Sequence, residues 1–199
     1  MKVGLTGQIG AGKSTVAAAF KSKGAAIVDA DTIGKEAIAH HPPLLRRLVR
    51  AFGNDILTGS GSLNKSRLAA VAFADADSIS ALNRLVHPYL LKELRRQVRE
   101  GLKAGGIVVV DAALLHFWRL DREMDITIVV TAPRQVRLQR IRKRGVPRPD
   151  ALKRDRAQLP FVEMRRRSNI VIRNSGSRRD LRRRAFRVWR QHIAPAIDR

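Results

Sequence analysis

Nine consecutive residues, Gly7-Gln8-Ile9-Gly10-Ala11-Gly12-Lys13-Ser14-Thr15, carry the sharpest chemistry in the chain. They satisfy G-x-x-x-x-G-K-[ST], a loop whose glycines let successive backbone N–H groups converge on phosphate oxygens. In that pattern Lys13 reaches the β- and γ-phosphates of a nucleoside triphosphate, and the Ser14 hydroxyl takes a place on Mg²⁺. The expected nucleotide-binding residues are therefore Gln8, Ile9, Gly10, Ala11, Gly12, Lys13, Ser14 and Thr15.

Such a loop alone does not separate a kinase from a GTPase or an ATP-driven motor, so the other polar residues matter. Asp29 and Asp31 close a second apolar run, Ala25–Val28. That run is expected beside the first strand, where a parallel sheet opens its ligand crevice. A carboxylate there orients an acceptor hydroxyl and takes its proton during phosphoryl transfer, which makes Asp31 the expected base. The competing reading of Asp31 is a helix N-cap. Asp111 ends Ile107-Val108-Val109-Val110 and is expected to support Mg²⁺ together with Ser14. Arg140 and Arg144, four apart on one expected helical face, suit charge stabilisation of the transferring phosphoryl group. His87 precedes Pro88 at the expected start of a long helix and reads first as structural, second as a phosphate contact. His40 and His41 stand beside two prolines, lack metal-ligand spacing and receive no role.

The elements that must position these groups follow from periodicity. Lys2–Thr6, Ala25–Val28, Ile107–Val110, Asp125–Val130 and Asn169–Ile172 read as five strands, each followed by helical sequence. That alternation predicts a doubly wound, P-loop-type three-layer α/β fold with a mainly parallel sheet. Helices are expected from Asp31 to His40, over Leu44–Phe52, Lys65–Ala74 and Ser78–Val86, and again after Pro88 with Leu90, Leu91, Leu94, Val98 and Leu102 on one face. Another opens at Pro133 with Val136, Leu138 and Ile141 on its apolar side, and Ser177 caps a final one. The helical block of about 33–103 is too long for a simple crossover and reads as an inserted substrate-binding subdomain. The core then comprises about 1–32 and 104–199, with a lid near 140–160 that includes Gly145–Pro149.

The chain has 199 residues, no cysteine and a formal net charge of +23. A disulfide framework and a thiolate metal site are thus excluded. No secretory or membrane-spanning run is present, so a cytoplasmic protein is expected, a monomer or weak homo-oligomer. Residues 134–199 hold 22 Lys/Arg against 5 Asp/Glu, so the excess charge lies in the last third. Clusters such as Arg165-Arg166-Arg167 and Arg182-Arg183-Arg184 admit a nucleic-acid partner, but a solvated arginine face is the preferred reading. One Tyr and two Trp make a poor stacking platform for single strands.

With these positions laid out, the chain resembles the dephospho-CoA kinase family over nearly its full length. Gly4-Leu5-Thr6-Gly7 leading into the P-loop, Asp29-Ala30-Asp31, His87-Pro88, Asp111 with Leu114-Leu115, Gln158-Leu159-Pro160 with Glu163, and Asn174-Ser175-Gly176 match its motifs in order. Arg154 fits the family's stretch before Gln158. The resemblance implies transfer of the ATP γ-phosphoryl group to the ribose 3′-hydroxyl of dephospho-CoA. It places Asp31 as base, His87 and Gln158 with substrate, Asn174 on the adenine side, and Arg140 and Arg144 at the lid. The alternatives are another P-loop small-molecule kinase or a nucleic-acid-associated ATP switch. Departures from the family pattern are Ala113 for proline, Phe117 for glutamate, Met164 for lysine, Ser168-Asn169 for Ala-Asp, and Arg173 for an acidic residue.

Overall fold

Short runs of β-branched residues bounded by turns build the centre of the molecule. They form β1 (Lys2–Gly7), β2 (Ala26–Asp29), β3 (Val108–Asp111), β4 (Ile126–Thr131) and β5 (Ile170–Arg173). In this computed structural model, which describes residues 1–145, 152, 155 and 158–196, the strands pair in parallel in the order β2-β3-β1-β4-β5. The sequence pattern predicts β2 beside β1, whereas β3 lies between them. All four residues of β3 are buried, as a central parallel strand requires, while β2 is buried fully only at Val28 and takes the edge. Asp111 pairs in register with Leu5 on one side and Asp29 on the other, so the ends of β2 and β3 lie level, two residues short of the end of β1.

The helices are α1 (Lys13–Lys21), α2 (Ala30–His40), α3 (Pro42–Phe52), α4 (Lys65–Ala72), α5 (Ala76–Lys103), α6 (Arg134–Arg142), α7 (Phe161–Arg166) and α8 (Arg178–Val188). The chain forms two compact units, residues 1–29 with 97–199, and residues 30–96.

In the first unit, Val16 and Phe20 of α1 and Leu181 and Ala185 of α8 pack on Val3, Leu5, Val109, Ile128, Val130 and Ile172 of the sheet. Helix α8 begins in a capping box: the Ser177 hydroxyl accepts from the Asp180 N–H at 3.1 Å, and the Asp180 carboxylate accepts from the Ser177 N–H at 3.1 Å. Past Val188 the helix widens into a π turn over Trp189–Ile193. That turn seats Trp189 on Phe20, ring centroids 5.6 Å apart and tilted by 45°.

The second unit has its own core of Leu44, Leu48, Ile56, Leu68, Ala72 and Val86. Pro42 and Pro43 occupy the first turn of α3, where a missing N–H costs nothing. His41 caps that helix, its Nδ1 accepting from the Leu44 N–H at 3.2 Å. The sequence pattern predicts a long helix that starts at His87-Pro88 and a separate one over Ser78–Val86. Instead α5 runs unbroken through Pro88, and His87 lies within it. Apolar side chains on both sides of Pro88, from Leu82 and Val86 to Leu90 and Leu94, are drawn from water and hold the helix across the lost hydrogen bond. Among the described residues, no helix is long and apolar enough to cross a membrane.

Candidate active site

The turn from β1 to α1 is shaped by two glycines in the left-handed region, Gly10 at φ 77° and Gly12 at φ 105°. A side chain at Gly10 would stand 2.6 Å from the Arg137 carbonyl oxygen, and one at Gly12 would stand 2.6 Å from Asn174 Nδ2. Both positions are closed to any other residue by backbone angle and by space. No side chain caps the start of α1, where the Thr15 and Val16 N–H groups turn back onto the Gly12 carbonyl at 3.0 and 3.3 Å, and an uncapped helix N-terminus of this kind suits an anion.

Groups from far along the chain hold this loop in place. Gln8 Oε1 accepts from the Thr131 hydroxyl at 2.8 Å, and the Ala11 N–H closes the turn onto the Gln8 carbonyl at 3.0 Å. Asn174, buried, donates from Nδ2 to the Ala11 carbonyl at 2.7 Å. Gln158 accepts from the Ile9 N–H at 2.6 Å and donates to the Gly7 carbonyl at 3.4 Å. The resemblance set Gln158 on substrate, yet here its amide is engaged with the loop backbone. Arg154, in the stretch before it, and Gly145–Pro149 beyond Gly145 lie outside the described residues.

Arg137 is the clamp that periodicity missed. Val136 and Leu138, expected on the apolar side of α6, are only half-buried, whereas Arg137 is buried with Ile141. Its guanidinium donates to the Ala132 carbonyl at 3.2 Å and the Ile9 carbonyl at 3.3 Å, and it is paired with Asp155. Burial pushes the Asp155 carboxyl up, but hydrogen bonds and charge from Arg137 and Arg134 outweigh it and leave the pKa below the usual value. A buried guanidinium needs this set of acceptors, and no local signal in an arginine-rich helix announces them.

Beside the loop lies a cavity of about 280 Å³ lined by Gly10, Gly12, Ser14, Thr15, Arg140, Arg144, Asn174, Arg178 and Leu181. Arg140 is fixed at its wall, donating to the Gly10 carbonyl at 3.5 Å and to Asn174 Oδ1 and the Gly176 carbonyl at 3.3 Å each. Helix α6 stops at Arg142, so Arg144 leaves the shared helical face expected for it and reaches the cavity from the following turn. Arg178, at the start of α8, is a third cation of this wall, and no local motif singles it out among its neighbouring arginines.

Lys13 is ion-paired with Asp111, which is almost wholly buried at the end of β3. The strand end thus holds the ammonium at the mouth of the loop. Asp31 lies exposed in the first turn of α2, two residues beyond the end of β2, in the 30–96 unit. His87 belongs to that unit as well, and burial lowers its pKa. The 1–29/97–199 unit therefore assembles the P-loop, Asp111, Arg140, Arg144, Asn174 and Gln158.

Two of the departures from the family pattern, Met164 and Ser168, contact each other beside His116. His116, buried, places Nε2 at 3.1 Å from the Ser168 hydroxyl, which donates to the Met164 carbonyl at 2.8 Å. Its Nδ1 lies 3.5 Å from Asp121, which Arg167 grips with two hydrogen bonds of 3.0 and 2.7 Å. Burial holds the His116 pKa low against the pull of the Asp121 carboxylate. Asn169 Oδ1 accepts from both the N–H and the hydroxyl of Thr127 at 2.8 Å. Met164 is core, and Phe117 is exposed.

A parallel sheet with this glycine loop, an uncapped N-terminus at the head of α1 and the adjacent pair Lys13 and Ser14 defines a P-loop phosphotransferase-type nucleotide-binding protein. The comparisons narrow the class. The dephospho-CoA kinase family model matches residues 1–180. A dephospho-CoA kinase of Corynebacterium glutamicum is 40% identical over 184 residues, 92% of this chain and 94% of the relative. One from Frankia casuarinae is 36% identical over 192 residues, covering 96% and 83%. A crystal structure from Thermus thermophilus superposes with a TM-score of 0.79 at 33% identity, covering 97% of each chain. The fold of dephospho-CoA kinase from Campylobacter jejuni matches with a TM-score of 0.69 at 20% identity over 96% of each chain. The chain belongs to the dephospho-CoA kinase family.

Proposed function

We propose that this chain transfers the γ-phosphoryl group of ATP to the ribose 3′-hydroxyl of dephospho-CoA, giving CoA and ADP, with Mg²⁺. The observation that carries the reading is the glycine loop opening on an arginine-walled cavity, in a chain of this family. Lys13 neutralises the β- and γ-phosphates, and the N–H groups at the head of α1 receive the remaining charge. Arg140 and Arg144 spread charge away from the phosphoryl group as it transfers, and Asn174 borders the adenine side. The donor set suits Mg²⁺, which takes one or two protein oxygens and completes its shell with phosphate and water. Ser14 and Asp111 are the hard oxygens that would hold it, and the ion would supply charge neutralisation between the phosphates.

Asp31 orients the acceptor hydroxyl and takes its proton, while the 30–96 unit, with His87, receives dephospho-CoA. Gln158 acts by holding the loop that receives the phosphates. ADP release measured with and without dephospho-CoA, together with detection of a new 3′-phosphate on the product, tests the reaction. Lys13→Ala abolishes turnover, and Asp31→Asn cuts it strongly while ATP affinity stays near that of the unaltered protein. Equal turnover by the Asp31→Asn protein removes Asp31 from the mechanism.

A further inference from the structure

A second and larger cavity, of about 550 Å³, opens between β5 and α8 and shares no lining residue with the one at the P-loop. Strand β5 is an edge of the sheet, with β4 on one side only, so the groove runs along an open strand. Four arginines line it, Arg173 at the end of β5 and Arg183, Arg184 and Arg187 on α8. One carboxylate, Asp180, stands among them. It is held at a pKa of about 2 by the Ser177 hydroxyl and by Arg183, so it stays ionised and is occupied within the capping box. It neutralises one arginine and leaves the groove strongly positive.

The arginines differ in how they are held. Arg184 donates to the Arg173 carbonyl at 2.7 Å, which fixes its guanidinium over the strand end with further N–H groups to offer. Arg173 and Arg187 have no acidic partner among the described residues. Arg182, by contrast, lies over the Phe186 ring 5.2 Å from its centroid, away from the groove. The charge of α8 is thus divided between a packed or solvated face and a concave one. The concave face also carries the apolar sides of Val171 and Val188.

A planar fork of N–H donors matches phosphate oxygens in pairs, and several forks around one cavity match a chain of phosphates. A cavity of this volume is of small-molecule size. We infer that the β5–α8 groove is a second anion site, separate from the P-loop, that takes a polyphosphorylated small molecule. The phosphates lie on Arg173, Arg184 and Arg187, and any attached apolar group lies on Val171 and Val188. The chain from Arg173 to Asp180 lines the groove with its two ends and the nucleotide cavity with Asn174 and Arg178 between them, so an occupied groove stiffens the loop that Asn174 holds.

Calorimetric titration of inorganic tripolyphosphate into the full chain, at about 0.15 M salt where the screening length is ~8 Å, tests the site. Two classes of site are expected. Arg173→Ala/Arg187→Ala weakens one by at least about tenfold, and Lys13→Ala weakens the other. Arg179→Ala/Arg182→Ala, an equal change of charge on α8 outside the groove, leaves both in place. A single site abolished by Lys13→Ala overturns the inference. So does equal weakening by the two arginine pairs, which would make the attraction diffuse. In the Lys13→Ala protein, displacement of tripolyphosphate by ADP identifies the occupant as a nucleotide, and binding without displacement identifies the phosphate chain itself.

Discussion

Replacing Arg137 by Met removes the guanidinium and keeps most of the stem volume, so it isolates the polar work of a buried clamp. Three interactions are lost, to the Ala132 and Ile9 carbonyls and to Asp155. Hydrogen bonds from a charged donor are worth about 1.5–3 kcal/mol, and these two are long, so together they contribute about 3 kcal/mol. Breaking a buried ion pair costs about 3–5 kcal/mol. Here the loss falls below that range, because Arg134 remains 3.1 Å from Asp155 and the carboxylate keeps some contact with water. Since the three interactions share one side chain they do not add in full, and about 4 kcal/mol is expected. For a chain of this size that lowers Tm by roughly 8–16 °C. Scanning calorimetry and urea unfolding measure it, with Asp155→Asn and the double variant completing a cycle. Nucleotide binding weakens in parallel, because the Ile9 carbonyl loses its anchor. A loss under about 1 kcal/mol, or strict additivity of the two substitutions, would refute the clamp.

Other perturbations probe neighbouring parts of the same design. Asn174→Ala strips the buried Ala11 carbonyl of its donor, which costs about 1–3 kcal/mol and raises the dissociation constant for a fluorescent ATP analogue; unchanged affinity would deny Asn174 its hold on the loop. Gly10→Ala meets both a positive φ and the Arg137 carbonyl, so nucleotide binding is lost while the 30–96 unit stays folded, as hydrogen exchange would report. Burial lowers the pKa of His116 and His87 in the folded chain, so below about pH 6.5 the unfolded state binds more protons and stability falls as pH drops. Urea unfolding between about pH 8 and pH 5 detects that slope, and His116→Gln/His87→Gln flattens it; an identical slope in the double variant would contradict the assignment.

What could be read from the sequence was whatever depends on near neighbours. All five strands, the P-loop and its flanks, the Ser177 cap and the break at Pro42-Pro43 are local patterns of period, charge or glycine, and the fold follows them. Sheet order was not readable, because Val28 and Val109 are equally apolar on paper and only the full burial of β3 decides which strand is central. Pro88 read as a boundary because a proline removes one hydrogen bond. The side chains that carry α5 across it are spread over three turns and outweigh that loss. Arg137 was lost among Arg134, Arg140 and Arg142, since the partner that permits its burial stands eighteen residues away. The resemblance implies a substrate role for Gln158, and nothing local in the sequence connects it to the Ile9 N–H that it also holds.

The phosphate loop illustrates how a motif differs from the structure it names. Its nine residues are made well before the groups that fix its backbone, which come from positions 137, 158 and 174. At about 5–20 residues per second, synthesis leaves that loop without its supports for several seconds or more after it emerges. A nascent chain therefore displays a complete nucleotide-binding signature with no rigid cradle behind it, and the earliest-made part of the site is the last to acquire its final form.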